Sequence, residues 1–219
     1  HVEQMDVEER KARATTVSFL SHQPLLFACM RHACKISDAE VAAAFGDDKL
    51  VELKPQTSKS GRAFFMTADE RFIIKTLAKS EADFLLEHVF AYYDHAARFP
   101  HTLLPWHCGL YTLSDKDKGR EVTLVLEANA FSSQCPIHER YDLKGSVVGR
   151  VTPEHLKQGV DTILKDLDLK QRVKLGDTWR GMLLRQLQHD CALLETLQIV
   201  DYSLLLGVHH AAAPPGGEG

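Results

Sequence analysis

Two lysines, one aspartate and a short Ser/Gly run stand where the handling of phosphate would need them. Ser58-Lys59-Ser60-Gly61 precedes a β-prone run, and small residues there let backbone N–H groups approach a phosphate. An ordinary loop has the same composition, and the run is neither GxxxxGK[ST] nor GxGxxG. Lys75 lies inside Phe72-Ile73-Ile74-Lys75-Thr76. A lysine in an apolar strand is costly unless paired. Alternation puts Ile73, Lys75 and Leu77 on one face and Phe72, Ile74 and Thr76 on the other, which aims Lys75 at a cleft. An edge-strand lysine with its head in solvent fits the same segment. A strand lysine that grips nucleotide phosphates commonly meets a carboxylate from the following helix. Glu81 and Asp83 both stand at the start of that helix, and the sequence does not choose between them. In Tyr141-Asp142-Leu143-Lys144-Gly145-Ser146, followed by Arg150, Lys144 and Gly145 offer a cation and an open backbone beside a phosphate. A polar turn after a strand is the plain alternative. Asp201, in Ile199-Val200-Asp201-Tyr202-Ser203, follows a long helix and faces the unfavourable end of its dipole. Accepting or orienting a hydroxyl proton in phosphoryl transfer would account for it, as would a turn-forming aspartate.

The elements that must position these residues follow from hydrophobic period. The first third reads as helical, charged early and apolar later from Glu3 to Met30, with Pro24 breaking or starting a helix. Ser37-Asp38-Ala39-Glu40 is a capping box for a short Ala-rich helix that Gly46 stops. Residues 62–67 and 71–77 read as a hairpin joined by Ala68-Asp69-Glu70. Ser80 is the expected N-cap of the next helix, which stops before Pro100. Strands are expected over 107–113, 122–126 and 137–143. The strongest helix is expected within 175–200, with Leu183, Leu187, Cys191 and Leu194 on one stripe. Residues 203–208 form a short apolar run, and 211–219 read as a flexible tail. The order predicts an α+β fold.

Composition narrows the classes. The chain has 219 residues, 44% hydrophobic and 26% charged, the balance of a globular domain. A formal charge of −4 supplies no global positive field for nucleic acid or anionic lipid, so a lipid-facing basic patch must be local. No run reaches the about 18 apolar residues that span a bilayer. The charged start shows no secretory leader, and a first residue other than Met suggests a piece of a longer chain. Five cysteines without a CxxC pair predict free thiols in a reducing compartment. Cys29, His32 and Cys34 lack a second ligand pair at zinc-finger spacing and read as packing residues.

The order and wording of these sites resemble the phosphatidylinositol phosphate kinase family. The matching stretches are SGRAFFMTADERFIIKT (60–76), LLPWHCGLY (103–111), IHERYDLKGSVVGR (137–150), LKDLDL (164–169) and DCALLETLQIVDYSLLLGVH (190–209), covering residues 58 to 209. The resemblance implies a kinase-like two-lobe α+β fold, with an antiparallel sheet, flanking helices and an incomplete C-terminal lobe. It implies a helical N-terminal region over 1–55, a kinase core over 56–210 whose first lobe ends near 131, and a tail over 211–219. Ser60 and Gly61 would cover ATP phosphates, Lys75 and Lys144 would grip them, and Leu126 to Asn129 would form the hinge beside adenine. Lys75, Lys144 and Asp201 would be the catalytic set, with Asp201 the catalytic aspartate. The implied reaction moves the γ-phosphoryl of ATP, with Mg²⁺, to an inositol-ring hydroxyl of a phosphatidylinositol monophosphate. A cytoplasmic enzyme peripheral to membranes is implied, with a phosphoinositide partner, no nucleic acid, and pairing of two copies through the N-terminal region. The chain departs from the family at Glu127-Ala128-Asn129, where Asn-Asn usually follows an apolar residue. It departs again at Arg62, which replaces a small residue of the glycine loop, although a long side chain there could still point out to solvent. The family's Ile-Ile-Asp string, whose aspartate holds Mg²⁺, and its lipid-selecting loop are expected beyond residue 219, so the metal ligand is unknown. A catalytically inactive binding or scaffold module on the same fold is the alternative. A protein kinase is disfavoured because HRD and DFG are absent.

Overall fold

The apolar runs Phe64-Phe65-Met66 and Phe72-Ile73-Ile74 form an antiparallel hairpin, with Phe64 opposite Lys75 and Phe65 opposite Ile74. This hairpin lies inside a larger sheet in the computed structural model, which describes residues 17–45, 50–53, 62–157 and 162–211. The chain divides into two compact units, residues 1–129 and 130–219.

The first unit runs β1 (Val17–His22), α1 (Pro24–Ala33), α2 (Asp38–Ala44), β2 (Leu50–Leu53), β3 (Phe64–Thr67), β4 (Phe72–Leu77), α3 (Lys79–Arg98), β5 (His107–Asp115) and β6 (Arg120–Ala128). Its six strands order as β1-β5-β6-β4-β3-β2, and every pairing is antiparallel. The expectation of a helical region over 1–55 is corrected among its described residues. Val17–His22 and Leu50–Leu53 are strands, and α1 begins only at Pro24. The β-branched and aromatic residues of VSFLSH pair in register with β5, so tertiary pairing overrides the helical reading of that segment.

Both faces of the sheet are covered. Phe27 and Met30 of α1 and Leu85 and Val89 of α3 pack on Leu110 and Val125. On the other face, Phe72, Ile74, Cys108 and Leu126 meet Ile36, Val41 and Ala44 from around α2. Local signals place the helices. The Ser37 hydroxyl accepts the Glu40 N–H at 3.2 Å, and Glu40 accepts the Ser37 N–H at 2.7 Å, closing the expected capping box. The cap of helix α3 lies two residues before the expected one. Ala78 is the N-cap, and its N–H donates to Glu81 at 3.0 Å, while Ser80 lies inside the first turn. Arg31 ties the layers together, donating to the Cys108 carbonyl at 2.6 Å and to Asp38 at 2.7 Å.

The second unit holds β7 (Glu139–Leu143), β8 (Ile163–Lys165), α4 (Asp177–Thr196) and β9 (Leu204–Val208), with 3-10 turns at Glu154–Leu156 and Asp166–Asp168. Its sheet orders as β8-β7-β9. Strand β7 is parallel to β8 and antiparallel to β9. The expected stripe of α4 faces inward, with Leu194 buried and Leu183, Leu187 and Cys191 half-buried.

Candidate functional site

Each unit carries a lysine paired with a carboxylate. In the first, register places Lys75 opposite Val125 and Ile73 opposite Glu127, so Lys75 and Glu127 share a face across β4 and β6. Lys75 Nζ donates to Glu127 Oε2. His107, opposite Glu127 on β5, brings Nδ1 to 3.3 Å from Glu127 Oε1, and this ring nitrogen is buried with no well-aligned hydrogen-bond partner. The Tyr92 ring of α3 stands edge-on to the His107 ring at 5.2 Å. Burial alone would raise the Glu127 carboxyl. The neighbouring His107 and the charge of Lys75 outweigh it and bring the group to about 2.

This pairing corrects the expected source of the carboxylate. Neither Glu81 nor Asp83 meets Lys75. Glu81 takes the guanidinium of Arg62, and Asp83 lies 3.0 Å from Lys79 on the same helix. Arg62 is therefore held against the start of α3. Leu126 is 1% exposed and packs on the opposite face with Phe72 and Cys108, while the Glu127 side chain stands on the face of Lys75. The Asn129 amide Nδ2 donates to the Glu70 carbonyl at 2.7 Å, and its backbone N–H donates to the Arg71 carbonyl, closing the end of the hairpin. Ser60 and Gly61 lie outside the described residues.

In the second unit, Lys144 Nζ donates to Asp201 Oδ1 at 2.5 Å. Helix α4 ends at Thr196, so Asp201 stands five residues beyond it, past the last turn where a dipole acts. The dipole expectation is thereby corrected: the carboxylate's partner is Lys144. Asp201 adopts φ +61°, a conformation aspartate tolerates better than most residues. The hydrogen bond and charge of Lys144 hold its carboxyl below the usual aspartate range. The pair lines an open cavity of about 930 Å³, with Ser146, Arg150, Ile199 and Tyr202 on its walls.

A second layer fixes Lys144. Asp166 accepts the backbone N–H groups of Lys144 and Gly145 at 2.9 and 2.8 Å, and Arg150 Nε at 2.6 Å. Gly145 has φ +67°, which an L side chain adopts only with strain. Arg150 also binds the Asp142 carboxylate at 2.9 Å. Partial burial would raise Asp166, but Arg150 and the amide donors bring it to about 2. Asp168 accepts the N–H groups of Thr152 and Lys165 at 2.9 and 3.0 Å and pairs with Lys157. LKDLDL thus braces the Lys144 turn, a role no spacing rule assigned. The one signal for Glu127 is a carboxylate in the apolar run LVLEA, and only the register of β4 and β6 matches it to the lysine in FIIKT.

Chemically, an ammonium 2.5 Å from an exposed carboxylate on an open cavity can neutralise phosphoryl oxygens while the carboxylate orients a hydroxyl. The family profile described as Phosphatidylinositol-4-phosphate 5-Kinase matches residues 45–216. Phosphatidylinositol 4-phosphate 5-kinase 7 of Arabidopsis thaliana is 39% identical over 201 residues, covering 91% of this chain and 26% of that protein. Phosphatidylinositol 4-phosphate 5-kinase 9 of the same plant is 42% identical over 190 residues, covering 86% of this chain and 23% of that protein. A probable phosphatidylinositol phosphate kinase of Dictyostelium discoideum is 38% identical over 201 residues, 88% of this chain and 28% of that protein. The chain spans about a quarter of the length of these relatives. The match runs through both units and through each charge pair, and on that basis the chain belongs to the phosphatidylinositol-4-phosphate 5-kinase family.

Proposed function

We propose that this chain is the part of a lipid kinase that grips ATP and aligns the accepting hydroxyl, for transfer of the γ-phosphoryl to an inositol-ring hydroxyl of a phosphatidylinositol monophosphate. The observation that carries the reading is the Lys144–Asp201 pair on an open cavity. Asp201 accepts or orients the proton of the attacking hydroxyl. Lys144 neutralises charge developing on the phosphoryl oxygens, and Lys75 holds the phosphates. Phosphoryl transfer is chiefly positioning and charge neutralisation, which two lysines and a carboxylate can supply.

The donor set fits ATP and Mg²⁺. Mg²⁺ is held through one or two carboxylates together with substrate phosphates and water. The Asp201 side chain is 80% exposed, so its carboxylate is open to such an ion. When bound, the ion would supply positive charge to offset that of the phosphates. The Ser60-Gly61 run would cover the phosphates, and residues 126–129 would lie beside adenine. The reading also takes the kinase core to run over 56–210, with its first lobe ending near residue 131.

Among the described residues no helix is long and apolar enough to cross a membrane, and access to the lipid is taken to be peripheral, from the cytoplasm. Self-association through the N-terminal region belongs to the same reading: β1 is an outer strand of its sheet, with Phe19 64% and Leu20 56% exposed. The test is ATP-dependent labelling of a panel of phosphatidylinositol monophosphates and peptides by the full-length protein. Labelling of a phosphoinositide alone is expected, and labelling of peptide alone overturns the reading.

A further inference from the structure

We infer that Glu127, backed by His107, is the positioning residue that aims Lys75 at phosphate, in the place that a carboxylate from the following helix would otherwise fill. The inference rests on the phosphoryl-transfer reading above and adds the partner that makes Lys75 competent.

Four observations converge. The first is register. Lys75 and Glu127 sit diagonally on one face of adjacent strands, so a rigid sheet rather than a helix that can swing sets their approach. The second is competition. The two helix carboxylates within reach in sequence are engaged elsewhere, Glu81 by Arg62 and the Ala78 N–H, and Asp83 by Lys79.

The third is cost. The Glu127 side chain is 11% exposed between Leu126 and Ala128 of an apolar strand. An apolar residue would fold there at least as well, because a buried ion pair seldom adds net stability over a hydrophobic isostere. A function is therefore the better account of the charge. The fourth is His107. Its Nδ1 is buried without a well-aligned partner, 3.3 Å from the second oxygen of Glu127, and its ring is braced by Tyr92. One oxygen of Glu127 faces Lys75 and the other faces His107, which limits rotation of the carboxylate. The Lys75 side chain remains 33% exposed, so its ammonium can still meet an anion from solvent.

The test uses Glu127→Gln, Glu127→Met, Glu127→Asp and His107→Phe in the full-length protein. Melting temperature, ATP affinity by titration, and separate KM values for ATP and for phosphatidylinositol 4-phosphate are read for each. Glu127→Gln and Glu127→Met are expected to stay folded and to raise KM for ATP roughly tenfold to a hundredfold. KM for the lipid should stay unchanged, Glu127→Asp should recover part of the loss, and His107→Phe should lose less than Glu127→Gln. Wild-type KM for ATP in a folded Glu127→Gln overturns the inference. So does failure of both Glu127→Gln and Glu127→Met to fold, which would make the residue structural. Asp201→Asn separates this inference from the reading beneath it. An inactive Asp201→Asn beside a fully active Glu127→Gln sinks only the role of Glu127, whereas a wild-type protein that binds no ATP sinks both.

Discussion

Lys144 Nζ and Asp201 Oδ1 lie 2.5 Å apart although 57 residues separate them in the chain. The contact joins the end of β7 to the turn that follows α4. Both residues are held by backbone. Lys144 leaves a strand into a turn pinned by Asp166, and Asp201 takes a left-handed conformation ahead of β9, which itself pairs with β7. The antiparallel β7–β9 pairing sets Leu143 opposite Leu204, so the two catalytic candidates flank one end of one strand pair. Rigid placement of this kind keeps a charge pair ready without reorganisation when a phosphate arrives.

Asp166 supports that placement without being proposed to touch substrate. Replacing it by Asn keeps the size and removes the charge that holds Arg150 at 2.6 Å. Asp166→Asn is expected to lower the melting temperature by several degrees and to reduce phosphoryl transfer roughly tenfold to a hundredfold through a displaced Lys144. Parallel melting curves and steady-state rates check this. An unchanged rate in a folded variant would show that the Lys144 turn needs no such brace.

Acid sensitivity follows from the same carboxylates. Glu127 falls from about 4.5 to about 2 on folding, and Asp166 from about 3.8 to about 2. A folded value below the unfolded one contributes stability that is fully present above the unfolded value and is lost as pH falls through the folded value. Urea midpoints should therefore hold steady above about pH 5 and decline between about 4.5 and 2. Asp166→Asn should flatten part of that decline, read from urea melts by circular dichroism. A pH-independent midpoint across this window would contradict the pairing of both groups.

The N-cap of α2 offers a local test. Ser37 and Glu40 each satisfy the other's backbone N–H, and Glu40 also binds Arg71 at 2.8 Å. Ser37→Ala should cost about 1 kcal/mol, seen as a lower urea midpoint at unchanged slope. No shift in midpoint would mean that α2 is held by its packing on Ile74 and Cys108 alone.

Much of the fold was legible because it rests on local rules. The Ser37 box, the hairpin over 64–77 and the stripe on α4 need only neighbouring residues, and they stand where pattern puts them. Strand β1 was not legible, since its pairing partners lie 88 to 98 residues away in β5 and helix-like composition says nothing of that. The site divides the same way. Lys75 and its face followed from alternation, and the Lys144 and Asp201 motifs stood out in the chain. Which carboxylate meets which lysine did not, because a salt bridge between strands depends on register. Glu127 is 52 residues from Lys75, whereas Glu81, closer in sequence, is claimed by Arg62. Asp166 and Asp168 escaped notice for a related reason: they act on backbone N–H groups, which no side-chain motif reveals.

Under the proposed function, Lys144 and Asp201 act together in phosphoryl transfer to a phosphoinositide. The most direct measurement is the rate of ³²P transfer from ATP to phosphatidylinositol 4-phosphate vesicles by the full-length protein. It would compare wild type, Asp201→Asn, Lys144→Met and the double variant. A loss of about a hundredfold or more is expected in each single variant, with the double variant little worse than either, because the two groups work as a unit. Wild-type turnover by a folded Asp201→Asn protein would contradict it.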